Sequence, residues 1–181
     1  MRGYGLLVWL ALAGAAQAEP FCKPNAKELA ALPADLAGDW QGAMSQGILV
    51  LMGKPSVMPS NPDALPARVI ATAGGISLAD PAKPAAYELQ VAAGDMNFAL
   101  PGETPLGTQE FLAPFLADAG IVCDALDLPQ FQGTAPQAQG MSGITKAYPL
   151  SRTEMLMVFL FSDAGEPKEN GVRVVMRYTR K

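Results

Sequence analysis

The chain of 181 residues contains no histidine at all. That absence excludes a Ser-His-Asp triad, a histidine-ligated zinc and a histidine-ligated haem. Basic residues are also scarce, with 13 Lys+Arg against 17 Asp+Glu and an isoelectric point near 4.8. A nucleic-acid binder needs a basic face for the phosphate backbone, so no nucleic-acid partner is expected. Cysteine is reduced to two residues. Long apolar runs are missing beyond the first segment: the stretch Met155 to Phe161 falls far short of the roughly 20 residues a bilayer span requires. What the chain does have is 50% hydrophobic and only 17% charged residues, which is the make-up of a packed core and not of a disordered tail.

Residues 1–18 read MRGYGLLVWLALAGAAQA. Arg2 supplies a short positive start, Leu6 to Ala13 an apolar stretch too short to span, and Ala16-Gln17-Ala18 a small-x-small cleavage site. The reading is an export signal, with a retained anchor as the alternative, and Cys22 lies too far past the cleavage site to be a lipid acceptor. The mature protein, residues 19–181, is then periplasmic or secreted, with no membrane span after cleavage. In an oxidising compartment its two cysteines, Cys22 and Cys123, are expected to pair as a structural staple. No CxxC pair points to redox work.

Residues 19–181 are expected to form a single disulfide-stapled β domain. Asn25 with Glu28 three residues on predicts a capping box, and Pro33 a helix stop. Thr108 predicts the cap of a second short helix through Phe111, Leu112, Phe115 and Leu116 to Gly120, with Pro114 inside it. Strand patterns are more numerous. They cover Gly47–Gly53, Arg68–Ala73 before the Gly74-Gly75 turn, Ala85–Ala92, Asp95–Leu100, Glu154–Ser162 and Val172–Arg180. Gly94-Asp95 predicts a tight hairpin between the third and fourth of these, and the last two also read as a hairpin. Glu154–Ser162 is apolar on both faces and so should be central. The proline-rich Lys54–Pro66 and the stretch Gln130–Gly143 read as loops. Short strands joined by Gly/Pro turns predict a mainly β fold, an antiparallel barrel-like sheet with one or two short helices, a β-sandwich or α+β fold being the alternative.

The segment Gly38-Asp39-Trp40, preceded by a short helix and followed by an apolar strand, resembles the Gly-x-Trp start of lipocalins and other calycin barrels. The resemblance covers the two ends of the chain only. It implies a closed barrel whose base holds Trp40 beneath an arginine of the last strand, here Arg177, stacked on the indole. The proline-rich loop and the mid-chain helix depart from the lipocalin pattern. The haem-binding relatives of that fold use a histidine, so their activity does not carry over, and no cofactor is nominated.

If the barrel forms, Tyr87, Met96, Phe98, Met155, Met157, Phe159 and Phe161 are candidate lumen residues with Trp40 and Arg177 at the base. They would either hold a small apolar or amphipathic ligand or fill the core. The methionines are scattered, and Met155-x-Met157 has strand spacing, so no copper or other metal site is nominated. Asp118, Asp124 and Asp127 cluster in sequence, and Asp35 and Asp39 flank the Trp motif, but loop carboxylates are usually solvated and no catalytic residue is nominated. Acidic residues outnumber basic ones before residue 146 and the reverse holds after it. The C-terminal excess is either a solvated hairpin or an anion-facing patch of Arg173, Arg177, Arg180 and Lys181. The expected function is non-catalytic binding of a small ligand. The alternatives are a protein-interaction or assembly factor with a filled core and, behind it, a carboxylate hydrolase.

Overall fold

A computed structural model describes residues 19–81, 86–138, 141–164 and 168–181. The export signal read over residues 1–18 and the strand start at Ala85 lie outside the described residues.

Helix α1 (Ala26–Leu36) opens with the expected capping box. The Asn25 side chain accepts the Lys27 and Glu28 backbone N–H groups at 3.0 Å each, and the Glu28 carboxylate accepts the Asn25 N–H at 2.8 Å. Pro33 does not stop this helix, which runs on to Leu36. Tertiary packing decides the point, because Leu32 and Leu36 are buried against the sheet that comes after.

Nine strands come next: β1 (Gly38–Leu51), β2 (Lys54–Met58), β3 (Asn61–Thr72), β4 (Gly75–Ala79), β5 (Ala86–Ala92), β6 (Gln130–Ala138), β7 (Met141–Ser151), β8 (Glu154–Asp163) and β9 (Gly171–Arg180). Every pairing is antiparallel. β1 also pairs with β9, from Trp40 opposite Arg180 to Val50 opposite Gly171, and this ladder closes eight strands into a barrel. β2 is the extra strand, laid along the far half of β1. The fold is thus mainly β with two short helices, as the strand patterns predict.

Alternation sorts the side chains onto two faces. Trp40, Ile76, Leu89, Phe131, Met155 and Met157 pack together inside, and Leu32 and Leu36 of α1 plug that end of the barrel. The opposite face of β7, β8 and β9 offers Tyr148, Leu150, Leu156, Val158 and Val175. The excursion between β5 and β6 folds over them, bringing Phe98 together with Phe111, Leu112 and Leu116 of α2 (Thr108–Asp118). β8 therefore meets a core on each side, which accounts for its two apolar faces. The α2 cap is Gly107, not Thr108. Asp95 reaches across from the start of the excursion to accept the Thr108 N–H at 2.7 Å.

Three further expectations are corrected. Lys54–Pro66 is not a loop but β2 and the first half of β3. Proline survives in a strand whose far side has no partner, and β2 ends the sheet while β3 meets β4 only from Arg68 onward. Gln130–Gly143 holds β6 and the start of β7, whose small and polar residues hide the strand pattern. Asp95–Leu100 is not a strand and no hairpin forms at Gly94-Asp95, because β5 pairs with β4 and β6. The backbone of 95–106 is satisfied locally. Asn97 accepts the Ala99 and Leu106 N–H groups, and Phe98 donates to the Leu106 carbonyl.

Cys22 and Cys123 are joined, with Cα atoms 6.0 Å apart and 101 residues between them in sequence. Beside the bond, Phe21 N–H donates to the Leu150 carbonyl at 3.0 Å and Lys23 N–H to the Asp127 carbonyl at 2.8 Å. The N-terminal segment thereby ties the excursion to the β7–β8 end of the barrel.

Two measurements check this architecture. Replacing both cysteines by alanine should cost about 2 to 5 kcal/mol of stability in denaturant unfolding, and reductant should reproduce the loss in the native chain. Replacing Pro55 and Pro62 by threonine should restore N–H donors to the open β2–β3 edge and raise self-association in sedimentation velocity.

Candidate functional site

The closed base and the open end of the barrel have different chemistry. At the base, Gly38 has φ +142°, a conformation that favours glycine, and it turns the chain from α1 into β1. A Cβ there would sit 3.1 Å from Arg180 Nη2. The Arg180 guanidinium donates to the Asp35 carbonyl at 2.8 Å and the Ala37 carbonyl at 2.6 Å, so it caps the C-terminus of α1. Trp40 is completely buried and its indole N–H donates to the Leu36 carbonyl at 2.9 Å. Glycine, tryptophan and a last-strand arginine thus meet at the floor, but the arginine is Arg180.

Arg177 is the correction. It pairs in register with Ala43, and its guanidinium donates to Glu154 and Asp118 on the outer face. The cause is strand parity: Tyr178 belongs to the inner cluster, so Arg177 turns outward. Three of the four residues of the expected anion-facing patch, Arg173, Arg177 and Arg180, already have partners. Arg173 is buried with Glu103 at 2.8 Å, Arg177 is held by two carboxylates and Arg180 by two carbonyls.

The remaining lumen candidates divide. Met155 and Met157 are fully buried and fill the lower barrel with Leu89 and Phe131. Tyr87, Phe159 and Phe161 stand higher. Met96 and Phe98 leave the lumen altogether, because the chain they occupy is not a strand. They pack outside against α2, where Phe98 stacks on Phe111 with centroids 4.4 Å apart.

Above the filled part lies a cavity of about 280 Å³. Leu65 to Ala67 of β3, Leu78 and Ala79 of β4 with the adjoining Asp80, Tyr87 of β5, Phe159 and Phe161 of β8, and Val174, Met176 and Tyr178 of β9 form its wall. It opens where β3 and β4 part, beyond the last pair, Arg68 with Ala79. Tyr87 and Phe159 meet edge to face, with centroids 5.1 Å apart and planes at 65°. Burial first, then the nearby Tyr87 and Asp80, push the Tyr178 phenol above its ordinary pKa, so it stays neutral. The alternation of β9 puts Val174, Met176 and Tyr178 on one face already in the sequence. Leu65 and Leu78 carry no such signal, one lying in the proline-rich stretch and the other in a short strand.

A larger groove, about 670 Å³, runs outside the base between residues 19–25 and α1. Its wall carries exposed charge, including Asp35 and Arg152 at 3.5 Å. Elsewhere, Lys146 is buried outside the lumen, donating to Gln130 Oε1 at 2.9 Å and the Gly94 carbonyl at 3.4 Å. Burial lowers its pKa, and the charge of Asp95 acts against that shift.

No family model, curated protein or solved structure matches this chain.

The two arginines separate by substitution. Arg180→Ala should lose about 1 to 2 kcal/mol, since the Asp35 and Ala37 carbonyls at the C-terminal end of α1 lose their charged donor. Arg177→Ala should lose about 1 kcal/mol or less, since ion pairs between side chains that keep some contact with water contribute little. Thermal or urea unfolding of the two variants reads the difference.

Proposed function

We propose that the mature chain is an exported, non-catalytic carrier that holds a small apolar or amphipathic ligand in the cup at the open end of the barrel, and that the barrel is calycin-like. The observation that carries this reading is the cup itself. It is a hollow of about 280 Å³ inside the sheet, walled by aromatic, aliphatic and thioether groups. Ligand sites are concave and mostly apolar with a few polar groups, and usually begin near 300 Å³, so this one suits a small molecule or one end of a longer one. Methionine at the wall adapts to differing shapes. The export half of the reading is supported by the signal-like residues 1–18 and by the Cys22–Cys123 bond. The calycin half is supported by the eight-stranded meander and the Gly38-Trp40-Arg180 floor.

A second reading, a protein-interaction factor, draws on one observation. Leu51, Met52 and Val57 stand 53%, 76% and 77% exposed on the β1–β2 hairpin, and apolar side chains exposed together mark interaction surfaces.

Native mass spectrometry of protein purified from its own exported fraction tests the first against the second. A co-purifying small mass is expected, and it should vanish in Val174→Trp, which fills the cup, while the circular dichroism stays unchanged. A clean apo mass with a stoichiometric protein partner would replace the carrier reading by the interaction reading.

A further inference from the structure

What the cup holds rests on the carrier reading, and the few polar groups of its wall decide the chemistry. Apart from Asp80, the described wall carries only apolar side chains and two phenols, those of Tyr87 and Tyr178. Tyr87 is half-buried, whereas Tyr178 is only 7% exposed. The register fixes where the second phenol points. Tyr178 stands opposite Gly42 of β1, and Gly42 stands opposite Leu65 of β3. The Tyr178 ring lies across that glycine: a Cβ there would meet Cε1 first, with Cζ at 2.7 Å and Cδ1 at 2.9 Å. Cζ is nearer than Cδ1, so the ring passes over β1 and carries its hydroxyl toward β3, where Leu65 walls the cup. That hydroxyl makes no hydrogen bond with a described residue. Among the described residues, the side-chain hydroxyls sealed without a partner are those of Thr72, Thr145 and Tyr148. The Tyr178 hydroxyl is not one of them, so it opens onto free space, and the free space beside it is the cup. Burial keeps it protonated, so it is an O–H donor.

A donor left without a partner in an enclosed site costs free energy, and an occupant that accepts from it recovers that cost. The rest of the wall limits what else the occupant can carry. The side chains of Leu65, Leu78, Val174 and Met176 offer no strong acceptor, so an ammonium or amide N–H would lose its water for little. No described side chain of the wall is basic, so a carboxylate would give up its hydration for one phenol. A carbonyl carries no proton of its own to satisfy and asks only for a donor. We propose that the cup receives a small neutral molecule with an apolar body and one carbonyl-type acceptor, which takes the hydrogen bond of the Tyr178 O–H while the body packs on the aliphatic and aromatic wall.

The test is an NMR chemical-shift titration of the mature, disulfide-bonded chain and its Tyr178→Phe and Tyr87→Phe variants with three ligands of one shape. They are methyl butyl ketone, the alkene in which a methylene replaces its carbonyl oxygen, and pentanoate, in which an oxygen replaces its methyl group. Tyr178→Phe should weaken the ketone about five- to tenfold and leave the alkene unchanged. Tyr87→Phe should spare both, and pentanoate should bind the native chain more weakly than the ketone. A second readout needs no variant: the infrared carbonyl band of isotope-labelled ketone should lie at lower wavenumber in the cup than in hexane. Equal effects of Tyr178→Phe on ketone and alkene, loss of the ketone in Tyr87→Phe alone, an unshifted carbonyl band or tighter binding of pentanoate would overturn the acceptor inference and leave the carrier reading intact. Binding of none of the three would overturn both.

Discussion

Everything in this molecule depends on the ladder between β1 and β9. It joins the first strand to the last, from Trp40 and Arg180 at the floor to Val50 and Gly171 near the rim. Without it the sheet would be an open layer with two long unsatisfied edges and an inner face of Trp40, Ile76, Leu89, Phe131, Met155 and Met157 turned to water. The side chains along the ladder suit closure. Gly42 leaves room for the Tyr178 ring, since a Cβ there would lie 2.4 Å from Cε1. Gly38 leaves room for the Arg180 guanidinium in the same way, and that guanidinium fastens the plug helix to the sheet. The barrel, its plug and its cup are consequences of one seam.

The barrel carries a second core on its outer wall, and this is where it departs from a bare meander. The excursion between β5 and β6 lays Phe98, Phe111 and Leu112 against Tyr148, Leu156 and Val175. Its buried polar contacts are made to backbone and to paired side chains. Lys146 reaches Gln130 and the Gly94 carbonyl, and Arg173 reaches Glu103 with Phe111 beneath it at 5.2 Å. Buried cations are tolerated only when so partnered. The disulfide pins the same excursion to the N-terminal segment, so the outer core is held at both sides.

Much of this is legible in the residues. The capping box at Asn25, the central character of β8, the terminal hairpin and the Gly-x-Trp floor all arise from local pattern, because each depends on neighbours in sequence or on which face of a strand a residue takes. Several of the features that escape depend on neighbours far away. The prolines of β2 and β3 break a strand only when both sides are paired, and sequence does not show that one side is open. Met96 and Phe98 alternate like strand residues, yet Asn97 and Asp95 satisfy that backbone without a ladder. Arg177 differs from its expected place for another reason. Its parity relative to Val174, Met176 and Tyr178 is visible in the sequence, and the alternation itself assigns it to the outside. For the candidate site, the rings of β5 and β8 are readable, while Leu65, Leu78 and Asp80 require knowing where β3 and β4 part.

The seam also has a temporal meaning. Strands neighbouring in sequence can zip as they emerge, each but β6 within a short loop of the last. The final pairing spans almost the whole described chain, and contacts of such separation are slow to form because most of the loop entropy must be lost first. Until β9 arrives, β1 waits with one flank bare and its tryptophan uncovered. The interval between synthesis and closure is therefore the period in which this protein is most exposed to misassembly.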